Sequence, residues 1–193
     1  MHLYLFKKMG IALMLVLIAG CEDTNKPANN AEVADKNLQV VIIRHAEKPE
    51  NGDNLSCQGQ NRALQLATVL HQKFSTPDYT YVPSLKTDQS TAHSRMFQTV
   101  TPLAIKYNLT INSKYKADDY AEIRDSVLKK TGTVLMVWSH SEIADLASAL
   151  GVKNPPAWDK SDYDSIWVVS YKDDEATLSV DKAGLNPAQN CSF

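Results

Sequence analysis

Several stretches of this chain are apolar without a break, and elsewhere apolar residues come at regular intervals. Residues 40–43, inside "LQVVIIR" (38–44), and 134–138, inside "TVLMVWS" (133–139), lack the polar alternation of a half-buried strand. Such runs, rich in β-branched residues, read as strands covered on both faces, as in a parallel sheet. Between them the period lengthens. Ala63, Leu66, Ala67, Leu70 and Phe74 recur at helical spacing over 57–74, behind Ser56 as an N-cap. Phe97, Val100, Ala104 and Tyr107 mark a second helix over 91–107. Tyr120, Ile123 and Val127 mark a third over 118–130, with Gly132 past its end, and a fourth over 141–150 is closed by Gly151. "YTYVPS" (79–84) and "LTINSKY" (109–115) read as shorter strands. "SIWVVSY" (165–171) and "ATLSVDK" (176–182) flank the tight turn "KDDE" and should pair antiparallel. Strands alternating with helices predict an α/β fold over 38–193, a three-layer α/β/α sandwich with a mostly parallel central sheet.

The N-terminal end follows a different pattern. Lys7 and Lys8 precede "MGIALMLVLIAG", which is short of the roughly 20 residues a membrane span needs. A basic start, an apolar core and small residues behind it read as a secretory signal. Ile18-Ala19-Gly20-Cys21 resembles the lipobox of bacterial lipoproteins. That resemblance implies that residues 1–20 are a signal peptide and that Cys21 is acylated, since two or more acyl chains give a stable membrane anchor. With Cys21, the polar residues 22–37 form a flexible tether, too poor in apolar content to order itself. The expected location is the bacterial cell envelope, on the periplasmic side of a membrane.

Charge and cysteine content narrow the partners. Loss of residues 1–20 removes two lysines and no acid, leaving 18 basic and 22 acidic residues. With no basic run, the chain carries no footprint for nucleic acid. In an oxidising compartment Cys57 and Cys191 are expected to form a disulfide. Neither has a second Cys or a His at zinc-ligand spacing.

The chemistry gathers where the two apolar strands stop. One ends in Arg44-His45 and the other in Ser139-His140. If both are central in one parallel sheet, both imidazoles stand at its carboxyl edge, where ligands of such sheets bind. Arg95, near the start of the second helix, adds another guanidinium. Two Arg and two His at one edge make an electropositive pocket, and Arg forks match phosphate oxygens. A small phosphorylated substrate is the implied partner.

Four segments carry a family resemblance. "IIRHAEK" resembles the RHG signature of the histidine phosphatase superfamily, the phosphoglycerate-mutase-like fold. "LSCQGQNRALQLATVL" is similar to the segment that follows it in that family. "SRMFQT" keeps the family's Arg-x-x-Gln-Thr spacing in Arg95, Gln98 and Thr99, and "LMVWSH" resembles its strand ending in Ser-His. The resemblance implies that His45 is the nucleophile of a phosphohistidine intermediate. It implies that Arg44, Arg95 and a protonated His140 hold the phosphoryl oxygens, with no metal or other cofactor. Two departures bear on mechanism. Ala46 replaces the usual glycine, and Ser141 follows the second histidine, which removes the His-Asp acid of one branch. In the mutase-like branch the proton donor is a Glu after the third strand. Here "KADDYAEIRD" offers Glu122, with Asp118 and Asp119 as alternatives. Glu47 is expected to hydrogen-bond its own loop, and His93 to stand at the surface or behind the site. The expected activity is hydrolysis of phosphomonoesters outside the cytoplasm, with envelope sugar phosphates the substrate class that exported relatives suggest. The alternative is a non-catalytic phosphate-binding envelope lipoprotein, distinguished by having no carboxylate within reach of the pocket.

Overall fold

The computed structural model describes residues 37–85, 93–191 and 193; the signal sequence, Cys21 and all but the last residue of the tether lie outside them. The elements run β1 (Leu38–Arg44), α1 (Cys57–Phe74), β2 (Tyr79–Tyr81), α2 (Ser94–Tyr107), β3 (Ile111–Asn112), α3 (Tyr120–Val127), β4 (Gly132–Trp138), α4 (Ile143–Ala149), β5 (Ser165–Lys172) and β6 (Glu175–Lys182). They build one six-stranded sheet in the order β3-β2-β4-β1-β5-β6. The first four of that order are parallel, and β5 and β6 are antiparallel additions, so the sheet is mixed.

The unbroken apolar runs occupy the centre, as their pattern requires. In β1 the side chains alternate between two cores. Val41 and Ile43 pack with Leu66, Ala67 and Leu70 of α1 and Val100 and Leu103 of α2. Leu38, Val40 and Ile42 face Ile123 and Val127 of α3 and Ile143 and Leu146 of α4. Both faces are covered, which makes the three layers. Each fully buried aliphatic side chain contributes about 1.5–3 kcal/mol of hydrophobic stabilisation.

The register of β1 on β4 sets the functional edge. Arg44 lies opposite Trp138, and the His45 N–H extends the ladder by donating to the Trp138 carbonyl over 3.0 Å. Antiparallel β5 begins at this same edge, with Ile166 opposite Ile43. The turn into β6 places Asp173 and Asp174 at φ 49° and 62°, the left-handed pair that a two-residue hairpin favours.

Five elements are shorter than the pattern predicts, β2 (Tyr79–Tyr81) and α4 (Ile143–Ala149) by three residues each. β3 keeps two residues, because as an edge strand with polar neighbours it has a partner only in β2. α3 starts at Tyr120, since the Asp119 carboxylate accepts the Lys116 N–H in a turn (2.9 Å). α2 begins at Ser94, with residues 86–92 outside the description. The expected disulfide is present, joining Cys57 at the start of α1 to Cys191 with their Cα atoms 4.7 Å apart.

Candidate active site

Arg44 and His45 end β1 almost fully buried, at 4% and 3% exposure. The His45 Nδ1–H donates to the Ala46 carbonyl over 2.7 Å. A carbonyl can only accept, so this bond fixes the tautomer and leaves the Nε2 lone pair free. Burial is the main reason its pKa falls from 6.5 to about 4, and the charges of Arg44, Arg95 and His140 push the same way. The Ala46 bond opposes them only in part. At neutral pH the imidazole is uncharged and nucleophilic.

The loop behind the imidazole is fixed from two helices. The Ala46 N–H donates to Thr99 Oγ1 (2.9 Å), whose own hydroxyl donates to the Arg95 carbonyl (2.7 Å). Gln98 binds the 47–56 loop twice, accepting from the Leu55 N–H and donating to Asn54 Oδ1. The Arg-x-x-Gln-Thr spacing thus places one guanidinium and two loop anchors on the first turns of α2. At α1, a Cβ on Gly59 would collide with the Glu47 carbonyl oxygen, so the close approach of helix and loop requires glycine there. Glu47 does more than hydrogen-bond its loop: buried Arg62 of α1 forks onto its carboxylate.

Three cationic or titratable side chains surround His45. Arg44 lies with its guanidinium 3.8 Å over the Tyr163 ring. Its Nη1 donates to the Lys160 and Asp162 carbonyls (2.6 and 3.3 Å) and its Nη2 to the Tyr163 hydroxyl (3.1 Å). Arg95 donates from Nη2 to the Gly52 carbonyl (2.9 Å). What remains is a set of buried nitrogens without a hydrogen-bond partner: Arg44 Nε, Arg95 Nε and His140 Nδ1. An unmet buried donor costs about 1–3 kcal/mol, so such a cluster calls for an explanation. An oxyanion bound among them would supply it. His140 differs from the expectation of a standing imidazolium. Burial first, then Arg44, Lys160 and Lys48, lower its pKa. A dianion seated beside it would raise the pKa again.

The structure brings His45, Arg44, Arg95 and His140 together but leaves the expected acid apart. Glu122 lies on the exposed face of α3, because Ile123 and Val127 are the residues that this short helix turns inward. A cavity of about 480 Å³ at the sheet edge is instead lined by Asp118 and Glu142, with Ser84, His93 and Lys116. Of the three carboxylates offered by the sequence, Asp118 borders this cavity, while Asp119 is engaged at the Lys116 N–H. Beside it, Tyr120 is pushed up to about 12 by burial and then by Asp145, Glu142 and Asp118. His93 stands at the start of α2 and its ring Nδ1–H donates to the Ser84 carbonyl (2.9 Å). A larger cavity of about 760 Å³ lies along β2 and β3, lined by Asp78, Asn112 and Lys130. His45, Arg44, Arg95 and His140 line neither cavity, and the smaller one comes within two residues of His140 in sequence, at Glu142. Among the described residues no group of three His, Cys, Asp or Glu side chains could hold a metal ion.

Comparison with solved structures matches this fold to a known architecture. The chain superposes on the protein histidine phosphatase SixA complexed with tungstate, with a TM-score of 0.57 and 16% identity over 75% of this chain and 97% of that one. The fold is that of the histidine phosphatases. A mycobacterial glucosyl-3-phosphoglycerate phosphatase with bound inorganic phosphate shares it at a TM-score of 0.50 and 15% identity, covering 77% of this chain and 99% of the other. No family model matches the sequence, and no protein of curated function is similar to it in sequence.

Sequence reasoning did not find Tyr163, the carbonyls of Lys160 and Asp162, or Glu142. The first three come from the segment before β5, which has no periodic signal. Glu142 follows His140 by two residues, and that proximity was the one signal available.

Proposed function

We propose that this protein is a phosphatase that hydrolyses phosphomonoesters through a phosphohistidine on His45. The observation that carries the reading is the set of unpartnered nitrogens on Arg44, Arg95 and His140 around an imidazole held neutral as its Nδ1–H tautomer. Nε2 of His45 attacks phosphorus as the bond to the leaving oxygen breaks, and that oxygen takes a proton from a carboxylic acid. Water then attacks the phosphohistidine and gives its proton to the same carboxylate. The alcohol leaves after the first step and inorganic phosphate after the second, and neutral His45 and the carboxylic acid are regenerated, so atoms and charge balance. Charge in the loose transition state lies on the equatorial oxygens, where Arg44 Nε, Arg95 Nε and His140 donate, and no metal ion is needed for that charge. We assign the acid to the cavity wall, Asp118 or Glu142, in place of Glu122.

The lipobox-like Ile18–Cys21 and the Cys57–Cys191 bond support an exported protein tethered to a membrane through acylated Cys21. Among the described residues no helix is long and apolar enough to cross a membrane. The cavity has room for a leaving group with hydroxyls, which suits small sugar phosphates. To test the mechanism, the protein is incubated with an aryl phosphate, quenched in alkali, and mapped by mass spectrometry. A phosphoryl group on His45, lost in His45→Asn, supports the reading. Absence of turnover and label, with thermal stabilisation by phosphate or tungstate retained, would make the pocket an anion-binding site and end the enzyme assignment.

A further inference from the structure

The start of α1 carries a second charge system that the proposed chemistry does not use. Arg62 donates from Nε to both Glu47 oxygens (2.9 and 3.0 Å), and its Nη2 lies 2.8 Å from Oε1. Its Nη1 donates to Asp164 Oδ1 over 3.2 Å, and Nη2 to the Leu185 carbonyl over 3.4 Å. Asp164 in turn accepts the N–H groups of Gly184 (3.0 Å) and Leu185 (2.9 Å). Neighbouring Asn61, also buried, donates its amide to the carbonyls of Ala188 (2.9 Å) and Asn190 (2.8 Å). One turn earlier, Cys57 is bonded to Cys191. Residues 183–191 therefore cross the start of α1 as a strap, fastened to that helix and to Asp164.

Stability alone is a weak reason for such a network. Desolvation of a buried Arg–carboxylate pair offsets most of its attraction, and apolar residues of similar volume do as well or better. A bidentate fork instead supplies fixed orientation. Glu47 is two residues beyond His45. Its carbonyl is held by the Ser56 N–H (2.9 Å), and the Ala46 N–H by Thr99. Gln98 and Arg95 hold the far part of the loop, at Leu55, Asn54 and Gly52. The Glu47 side chain is held by Arg62, and the strap in turn holds Arg62.

We propose that Arg62 is a positioning residue for His45, and that the Cys57–Cys191 bond, by fastening the strap over α1, keeps Arg62 seated on Glu47. Release of the strap lets the loop relax, and the imidazole loses the carbonyl that fixes its tautomer. The phosphate-holding nitrogens belong to β1, α2 and the turn after β4, and of their side chains Arg95 touches the loop, at the Gly52 carbonyl well away from Glu47 in sequence, so anion affinity changes little while attack slows. The kinetic consequence rests on the phosphatase reading; the orientation of the ring does not.

The test uses the full chain in its oxidised form, the same protein treated with dithiothreitol, and the variants Arg62→Met, Arg62→Lys, Cys191→Ser and Arg62→Met with Cys191→Ser. In the reduced sample the S–S bond becomes two thiols and the reagent takes its cyclic disulfide form. Imidazole ¹⁵N spectra at pH 7, assigned with His45→Asn, come first. The oxidised protein is expected to show His45 as a single Nδ1–H tautomer, and the reduced and Arg62→Met proteins a tautomer mixture. One fixed tautomer in all forms overturns the proposal, whether or not an aryl phosphate is turned over. In kinetics, kcat should fall about 10–100-fold, with KM and inhibition by tungstate changed far less; equal losses in kcat and in tungstate affinity overturn the positioning role. Arg62→Lys keeps the charge but loses the fork and should stay near Arg62→Met; full recovery overturns the positioning role. The double variant should be no worse than Arg62→Met alone, and additive losses would break the link between strap and Arg62. If Arg62→Met does not fold, the reduced wild-type protein decides through the same spectra. An inactive oxidised protein would overturn the phosphatase reading, and the tautomer comparison would still decide this one.

Discussion

Acid should destabilise the protein through His45, in a pH window that His45→Asn closes. In the folded state His45 is 3% exposed and its pKa is lowered from 6.5 to about 4, chiefly by burial. In the unfolded chain it titrates near 6.5. Between these values the unfolded chain binds a proton that the folded protein refuses, so unfolding takes up protons and stability falls as pH falls. The gap at 1.36 kcal/mol per pH unit amounts to about 3 kcal/mol, lost in full below pH 4 and by about 2 kcal/mol at pH 5. Asn places an amide near the position of Nδ1 and does not titrate. Urea unfolding of both proteins at pH 7.5, 6 and 5 gives the stability difference between them, in which the other titrating groups largely cancel. That difference should move by about 2 kcal/mol against the wild type on going from pH 7.5 to 5. A difference that stays constant would refute the burial of a neutral imidazole. The same protonation should put the acid limb of kcat/KM near pH 4, well below the ordinary histidine value.

Gly59→Ala should destabilise by about 1–3 kcal/mol in urea melts, opposite in sign to the usual gain from Gly to Ala inside a helix, because the added Cβ meets the Glu47 carbonyl. Thr99→Val leaves the Ala46 N–H buried without an acceptor and should cost about 1–3 kcal/mol, with Thr99→Ser restoring most of it. Glu122→Gln should leave kcat for an alkyl phosphate unchanged, whereas Asp118→Asn or Glu142→Gln should lower it about 10²–10⁴-fold; a large loss in Glu122→Gln alone would reverse that assignment. Dialysis against EDTA should leave turnover of an aryl phosphate intact, because Arg44, Arg95 and His140 supply the positive charge; loss of activity, restored by a divalent cation, would contradict this.

The legible parts of the fold were those where one period dominates. β1 and α1 match their expected bounds, and β4 differs by one residue at each end, because runs buried on both faces and a clear helical stripe admit one reading. β3 and α3 were overextended, because at an edge or in an acidic turn tertiary partners decide where an element stops. His45 and His140 could be placed together from sequence because each directly ends a central strand. Tyr163 and the Lys160 carbonyl could not, because they reach Arg44 from more than 110 residues away. Arg62 reads in sequence as an ordinary helical cation, and only the packing of α1 against the loop after β1 reveals its partner.

The order β4-β1-β5 at the middle of the sheet also bears on how activity is acquired. β1 pairs with strands that follow it by roughly 90 and 130 residues along the chain, and pairings of such separation close slowly. Until both have formed, Arg44 has no carbonyls to meet and His45 no neighbour in His140. Catalytic competence should therefore emerge as one of the last events of refolding, well after helix formation, without an intermediate of partial activity.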